Sequence, residues 1–379
     1  MSITAASPAA NPANPANPAN TANLRISQFT SLPSPAQLLA QLPLDAQLAG
    51  VVERGREEVR AILDGVDDRL LVVVGPCSIH DTRAGLDYAR RLAAVAAAHE
   101  EDLLIVMRAY FEKPRTTVGW KGLINDPALD GSHDVGAGLH LARTFLRDVA
   151  ALGLPTATEF LEPISPQYTA DLISWGAIGA RTTESQIHRQ LSSGLSMPVG
   201  FKNGTDGDLQ VALDACNAAG AAQSFLGIDA DGRAALVSTA GNRDAHVILR
   251  GGRKGPNYRA GDVAQAAGLA AAAGVNPRLI VDASHANSGK SHHRQAEVAL
   301  DIAAQLESAD TSAHTIAGVM LESFLVGGAQ GLNVQEVAAG TANLVYGQSV
   351  TDACMDWGIT VEVLGKLAQA SRTRRTAAS

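Results

Sequence analysis

Apolar and polar positions along this chain alternate between two rhythms, a short unbroken apolar run and a longer stretch with helical spacing. Leu71 to Val74 is such a run; it stops at Gly75-Pro76 and presents Cys77. A run too short for a helix and closed by Gly and Pro suits a strand buried on both faces, the habit of parallel sheets. Asp81 then stands where a helix N-cap belongs, and Tyr88, Leu92 and Val95 fall on one helical face. The alternation continues, predicting strands at Leu103–Arg108, Pro155–Phe160, Ala177–Arg181, Pro198–Lys202, His246–Arg250, Leu279–Ser284 and Ile316–Glu322. Helices are predicted between them at about Gly138–Leu152, Pro166–Trp175, Gln186–Leu195 and Asp208–Ala219, followed by further Ala-rich ones.

Gln223–Ile228 and Ala234–Thr239 break the rhythm, because only Asp229 to Arg233 separates them. That spacing is a hairpin loop and too short for a parallel crossover. With the hairpin set aside as an insertion at about 223–240, eight strands remain, the arithmetic of a (β/α)8 TIM barrel with the hairpin before strand 6. A doubly wound open sheet is the alternative, but no Gly-rich phosphate loop opens its first helix.

The expected organisation is a leader at 1–23, an N-terminal arm and helix at 24–68, and the catalytic barrel at 69–379. Repeated Asn-Pro-Ala in the leader reads as disorder, and the leader lacks the basic and apolar regions of a secretory signal. Val51 to Leu63 has helical spacing, so the arm is expected to cover one end of the barrel or to reach a neighbouring subunit.

Charge narrows the function classes. With 38 acidic and 30 basic residues the formal net charge is -8, which argues against a nucleic-acid or anionic-membrane binder. Cys77, Cys216 and Cys354 are too few and scattered for a disulfide framework, so a reducing, cytoplasmic setting is expected. No apolar run reaches membrane-spanning length.

A barrel of this kind carries its site at the C-terminal strand ends. The residues there are Cys77, Arg108, Glu159, Arg181, Lys202, Arg250, His285 and Glu322, and none is apolar. Arg108, Arg181, Lys202 and Arg250 concentrate cations suited to phosphate and carboxylate inside an acidic protein. Cys77, His285 and Glu322 offer a thiolate, an imidazole and a carboxylate, a set suited to a divalent transition metal such as Zn, Fe, Mn or Co. The loop after the second strand adds Lys113, Arg115, Thr116 and Thr117 over the same mouth, implying substrates with more than one anionic group.

These residues resemble the class I 3-deoxy-D-arabino-heptulosonate 7-phosphate (DAHP) synthases. The resemblance rests on GPCSIHD at 75–81, MRAYFEKPRTTVGWKGLINDP at 107–127, SWGAIGARTTESQIHR at 174–189, PVGFKNGTDG at 198–207, ILRGG at 248–252, SHAN at 284–287 and TDAC at 351–354. It implies condensation of phosphoenolpyruvate with erythrose 4-phosphate and water on a (β/α)8 barrel, the first step of the shikimate pathway. It implies one divalent metal per subunit held by Cys77, His285, Glu322 and Asp352. It further implies phosphoenolpyruvate held by Arg108, Lys113, Arg181, Lys202 and Arg250 with Ala180 lining the site, and erythrose 4-phosphate held by Arg115 and Thr116. Glu159 is expected beside the reacting carbons, and the catalytic group as Lys113, Glu159, Lys202 and His285. Family members are commonly inhibited by an aromatic amino acid, and the matching region includes Pro166, Gln167, Leu195, Ser196, Phe225 and Gly227. Glycine rather than serine at 227 implies tyrosine as the inhibitor, and a homodimer or homotetramer is expected.

Competing readings are a Schiff-base aldolase using Lys202, a sibling synthase taking arabinose 5-phosphate, which KPRTT at 113–117 disfavours, and a catalytically silent phosphometabolite sensor. Cys216 and Cys354 read as packing, His292 and His293 beside Lys290 as a solvated helix start, and Arg372, Arg374 and Arg375 as a frayed basic tail. His188 is left open between the site and the fold.

Overall fold

The computed structural model describes residues 21–115, 119–308 and 314–378. The chain enters through α1 (Pro35–Gln41), opened by a capping box between Ser34 and Gln37, and α2 (Ala46–Leu63), capped by the Asp45 carboxylate on the Leu48 amide. Strand β1 (Leu70–Gly75) and helix α3 (Thr82–Ala98) follow, with Asp81 capping α3 as its sequence position predicts. Next come β2 (Leu103–Arg108), α4 (Val135–Ala151), β3 (Thr156–Glu159), α5 (Pro166–Thr169), β4 (Trp175–Ile178), α6 (Gln186–Ser192), β5 (Val199–Lys202) and α7 (Gln210–Gly220). The hairpin β6 (Ser224–Ile228) and β7 (Ala234–Ser238) precedes β8 (Ala245–Leu249), α8 (Ala260–Ala272), β9 (Leu279–Asp282), α9 (His292–Glu307) and β10 (Ile316–Glu322).

Among the described residues the closed sheet runs β1-β10-β9-β8-β5-β4-β3-β2, with parallel pairing at every neighbour. This is the (β/α)8 barrel, and β6 and β7 form a separate antiparallel ribbon outside it, as the loop length requires. Alternation along each strand divides the core in two. Val72, Val74, Ile105 and Val281 face the helices, while Leu71, Val73, Leu104, Val106 and Ile280 fill the barrel interior. Val59, Ile62 and Leu63 of α2 join that interior cluster, so the arm covers the end of the barrel where the strands begin.

Four expectations need correction. The fourth strand is Trp175–Ile178 rather than Ala177–Arg181, because Gly179 to Thr183 turns, with the Thr182 and Thr183 amides donating to the Gly179 carbonyl. The helix expected over Pro166–Trp175 ends early as α5 and a 3-10 turn at Ala170–Leu172, and Trp175 already pairs with Ala157 in the sheet. After β10 the chain adds an unpredicted ribbon, β11 (Val326–Ala329) with β12 (Gln348–Ser349), and a short α10 (Val334–Ala338). The arginines expected to fray lie in α11 (Trp357–Ala378): Arg372 and Arg375 pair with the buried Asp102, and Arg374 donates to the Ile316 and Asp68 carbonyls. They act as the clamp of a packed terminal helix, whose partners lie about 270 residues away in sequence for Asp102. Positions 1–20 of the expected leader lie outside the described residues. No helix among the described residues is long and apolar enough to cross a membrane.

His246, at the start of β8, is fully buried, with Nδ1 facing the Asp244 carbonyl and Nε2 receiving the Trp175 indole N–H at 3.1 Å. Burial holds its imidazole down at about 4, against an ordinary 6.5. Between those values the unfolded chain takes up a proton that the folded chain refuses, so stability falls as pH drops through the window, by up to roughly 3 kcal/mol. Chemical denaturation at stepped pH values should show a flatter decline for His246→Gln than for the parent; equal slopes would assign the acid sensitivity elsewhere.

Candidate active site

Gly75 ends β1 where a side chain would collide with the neighbouring strand: a Cβ there would sit 2.9 Å from the Arg108 carbonyl oxygen. With that approach made, Pro76 turns the chain and Cys77 is left fully buried at the barrel mouth. Its Sγ, a Glu322 carboxylate oxygen and an Asp352 carboxylate oxygen all lie within 4.8 Å of one another. His285 turns toward this group with φ 55°, a left-handed conformation held by the Lys290 amide donating to the His285 carbonyl at 2.7 Å. Its Nε2 is 4.0 Å from Glu322 Oε1, and its Nδ1 is 2.8 Å from Asp282 Oδ2. A carboxylate behind the imidazole orients the ring so that Nε2 faces the cluster.

Asp352 reaches the cluster through the ribbon that sequence periodicity missed. Cys354 exchanges backbone hydrogen bonds with Gly328, and the Met355 amide donates to the Glu322 carbonyl at 3.0 Å. Cys354 packs beneath, its Sγ accepting the Cys77 amide at 3.4 Å, and Cys216 is buried in α7, so both behave as core.

Above the cluster opens a cavity of about 260 Å³. Of the predicted residues, Lys113, Arg115, Glu159, Ala180, Arg181 and Lys202 line it, as do Arg250, His285 and Asp352. Arg108 lies beneath, fully buried, donating to Glu322 at 3.1 Å and stacked over the Tyr110 ring at 3.9 Å. Thr116 falls outside the described residues. Glu159 Oε1 is buried without a hydrogen-bond partner, and Gly179 makes room for it, since a Cβ there would sit 2.2 Å from that oxygen.

The charges are paired across strands. Lys113 Nζ donates to the Cys77 carbonyl at 3.0 Å and lies 3.2 Å from its Sγ. Burial pulls the Lys113 ammonium down, but the Cys77 and Glu322 charges outweigh it and the net direction is up. Burial also pushes the Cys77 thiol up, reinforced by Glu322 and opposed by Lys113. Asp352 is held below its ordinary value: burial raises it, and the Lys113 and Lys290 charges more than compensate. The Glu322 and Asp352 carboxylates, and the Cys77 thiolate that burial disfavours, repel one another at this distance unless a cation sits among them, and the Lys113 ammonium meets part of that need.

Sequence reasoning missed Lys290, whose ammonium is 3.9 Å from Asp352 and lines the cavity, along with Thr205 and Thr351. It also missed Asp282, buried at the end of β9, which the break from Leu279-Ile280-Val281 to an acid could have marked. Asp282 Oδ2 is 2.9 Å from Lys202 Nζ, which makes that lysine an ion-paired ammonium. His188 stays out of the cavity: its ring nitrogens face Ser185 Oγ and the Leu161 carbonyl. His292 begins α9, in line with the helix-start reading.

None of the candidate inhibitor residues lines the cavity. Pro166 and Gln167 open α5, and Phe225 and Gly227 sit on β6. The arm bridges the two elements, with Tyr168 of α5 donating to the Pro33 carbonyl and the Ala36 amide donating to the hairpin's Ala230 carbonyl. Leu195 accepts from the Asn242 side chain next to Ser196.

Residues 43–365 match the DAHP synthetase I family. A phospho-2-dehydro-3-deoxyheptonate aldolase of Corynebacterium glutamicum is 55% identical over 355 residues, covering 93% of this chain and 95% of that protein. The Phe-sensitive enzyme of that name from Escherichia coli is 51% identical over 352 residues, covering 93% and 98%. The solved structure of the corresponding Francisella tularensis protein superposes with a TM-score of 0.88 at 47% identity, covering 92% of this chain and 99% of that one.

Burial pushes the Asp282 carboxyl up, but His285 and Lys202 hold it well below the usual carboxylate range. Asp282→Asn leaves a buried ammonium without its counter-charge, so denaturant unfolding should show a loss of about 3–5 kcal/mol. A change below about 1 kcal/mol would mean that Lys202 finds another partner.

Proposed function

The chain belongs to the DAHP synthetase I family and is an enzyme of the DAHP synthase class, a transferase of aromatic biosynthesis; on that premise we propose that it joins phosphoenolpyruvate to erythrose 4-phosphate with a divalent metal, taking up water and releasing inorganic phosphate. The observation that carries this reading is the pairing of a cationic cavity with a compact Cys77, Glu322 and Asp352 donor group at one barrel mouth. With the His285 imidazole beside them, the donors are a thiolate, an imidazole and two carboxylates, a set that fits Mn, Fe, Co or Zn. When bound, such an ion supplies Lewis acidity toward the aldehyde of the second substrate.

The protein's own groups account for the rest. Lys113, Arg181, Lys202 and Arg250 line the cavity and, with Arg108 below, hold phosphoenolpyruvate by its phosphate and carboxylate. Arg115 and Thr116 hold the phosphate of erythrose 4-phosphate, bringing two anions together against their repulsion and fixing their orientation. The methylene carbon of phosphoenolpyruvate attacks the aldehyde carbon, forming the new carbon-carbon bond, and the aldehyde oxygen takes up a proton. Positive charge then develops on the carbon bearing phosphate, water adds there, and the carbon-oxygen bond to phosphate breaks. Glu159, with one buried oxygen free of partners, suits orienting that water or taking its proton. The Schiff-base alternative loses support from the Lys202–Asp282 ion pair, because an ammonium has no lone pair to attack a carbonyl.

Tyrosine is the proposed inhibitor, on the strength of Gly227, where a Cβ would press within 2.7 Å of Val237. Self-association into a dimer or tetramer is supported by the hairpin's outer face, where Leu226 and Leu236 pair in register and are 91% and 72% exposed.

The deciding assay is phosphate release from phosphoenolpyruvate. Release should require erythrose 4-phosphate, stop in chelator and return with manganese; persistence in chelator, or a borohydride-trapped adduct on Lys202, would sink the metal reading. Cys77→Ala should lower metal affinity by titration calorimetry by roughly 100-fold or more with an unchanged far-UV spectrum. Tyrosine should inhibit at low concentration, and inhibition by phenylalanine alone would overturn the choice made from Gly227.

A further inference from the structure

Glu112 is a carboxylate that the chemistry above does not use. It lies in the loop after β2, is 4% exposed, and does not line the cavity. Both its oxygens are committed to the loop after β3: Oε1 accepts the Glu162 amide at 3.0 Å and Oε2 accepts the Ser165 hydroxyl at 2.9 Å. Burial pushes its carboxyl up to about 7, against the hydrogen bonds from Glu162 and Ser165, a range that would suit a general acid or base. Its absence from the cavity lining and the engagement of both oxygens exclude that use.

What Glu112 joins gives it a different role. The next residue is Lys113, whose ammonium contacts the Cys77 carbonyl and thiol, and two further on is Arg115, whose Nε donates to the Trp120 carbonyl. On the far side, Glu162 and Ser165 follow Glu159 and immediately precede Pro166 at the start of α5. Among its described residues the loop from Phe111 onward has no helix or strand before α4, so Lys113 and Arg115 owe their placement to fastenings of this kind.

We propose that Glu112 is a positioning residue, which sets Lys113 and Arg115 over the cavity by tying the β2 loop to the Glu162–Ser165 segment. The proposal rests on the reading of those two cations as substrate-binding groups. A glutamine serves the tie equally: its carbonyl accepts from Glu162, and its amide donates to Ser165 Oγ, whose own hydrogen turns to the Glu162 carbonyl 3.1 Å away.

Steady-state kinetics of the full-length, metal-loaded enzyme test this, with thermal unfolding measured alongside. Wild-type turnover of the two substrates decides the underlying reading by itself. Given that turnover, Glu112→Ala should raise the KM for phosphoenolpyruvate, which Lys113 binds, and for erythrose 4-phosphate, which Arg115 binds, about tenfold each, the equivalent of one weakened hydrogen bond to each substrate. Glu112→Gln should restore both parent KM values. Ser165→Ala should raise the same two KM values, and the Glu112→Ala, Ser165→Ala double variant should add little to either single change. A lowered melting temperature with both KM values unchanged would overturn the proposal in favour of a purely structural carboxylate, as would additive effects in the double variant.

Discussion

The Asp282 carboxylate meets Lys202 and His285 with the same oxygen, so a cation of the cavity wall and an imidazole of the donor group cannot move independently. Lys202 and Asp282 end strands of a closed parallel sheet and His285 lies in the loop that follows β9, at the same mouth, where burial makes an unpaired charge expensive. The same constraint recurs between Arg108 and Glu322 and between Lys113 and Cys77. Each pair joins one group of the cationic set to one group of the donor set or its support. The mouth of the barrel is therefore one network of compensated charges.

That network gives a protein of net charge -8 a locally cationic cavity. Lys113, Arg115, Arg181, Lys202, Arg250 and Lys290 outnumber the acids Glu159 and Asp352 in the lining, while Asp282 and Glu322 compensate Lys202 and Arg108 from outside it, so the lining still presents positive charge to a ligand. The donors Cys77 and Asp352 lean on Lys113 and Lys290, which stand at the boundary between the donor group and the cavity. The charge of the cavity and the electrostatics of folding thus rest on the same residues.

Much of this was legible beforehand. Apolar runs closed by Gly and Pro marked the strands, the short Asp229–Arg233 loop marked the hairpin, and polar residues at strand ends marked the site. Legibility failed where placement depends on distant partners. Arg374 looks like a tail residue until the Ile316 and Asp68 carbonyls are brought beneath it. Trp175 fits the periodicity of a helix, but pairing with Ala157 takes it into β4. Asp352 sits after the last barrel strand, and only its resemblance to a family motif identified it.

Residue order alone determined the period of the elements, their number and the chemical types at the strand ends, because those depend on local propensity and on spacing along the chain. Which charges face one another was decided only by closure of the barrel. Register between strands β9 and β5, separated by β8, brings Asp282 to Lys202, and the β11–β12 ribbon turns Asp352 back toward Cys77. Neither contact has a sequence signature, since a Coulomb interaction depends on distance in space and these partners lie far apart along the chain.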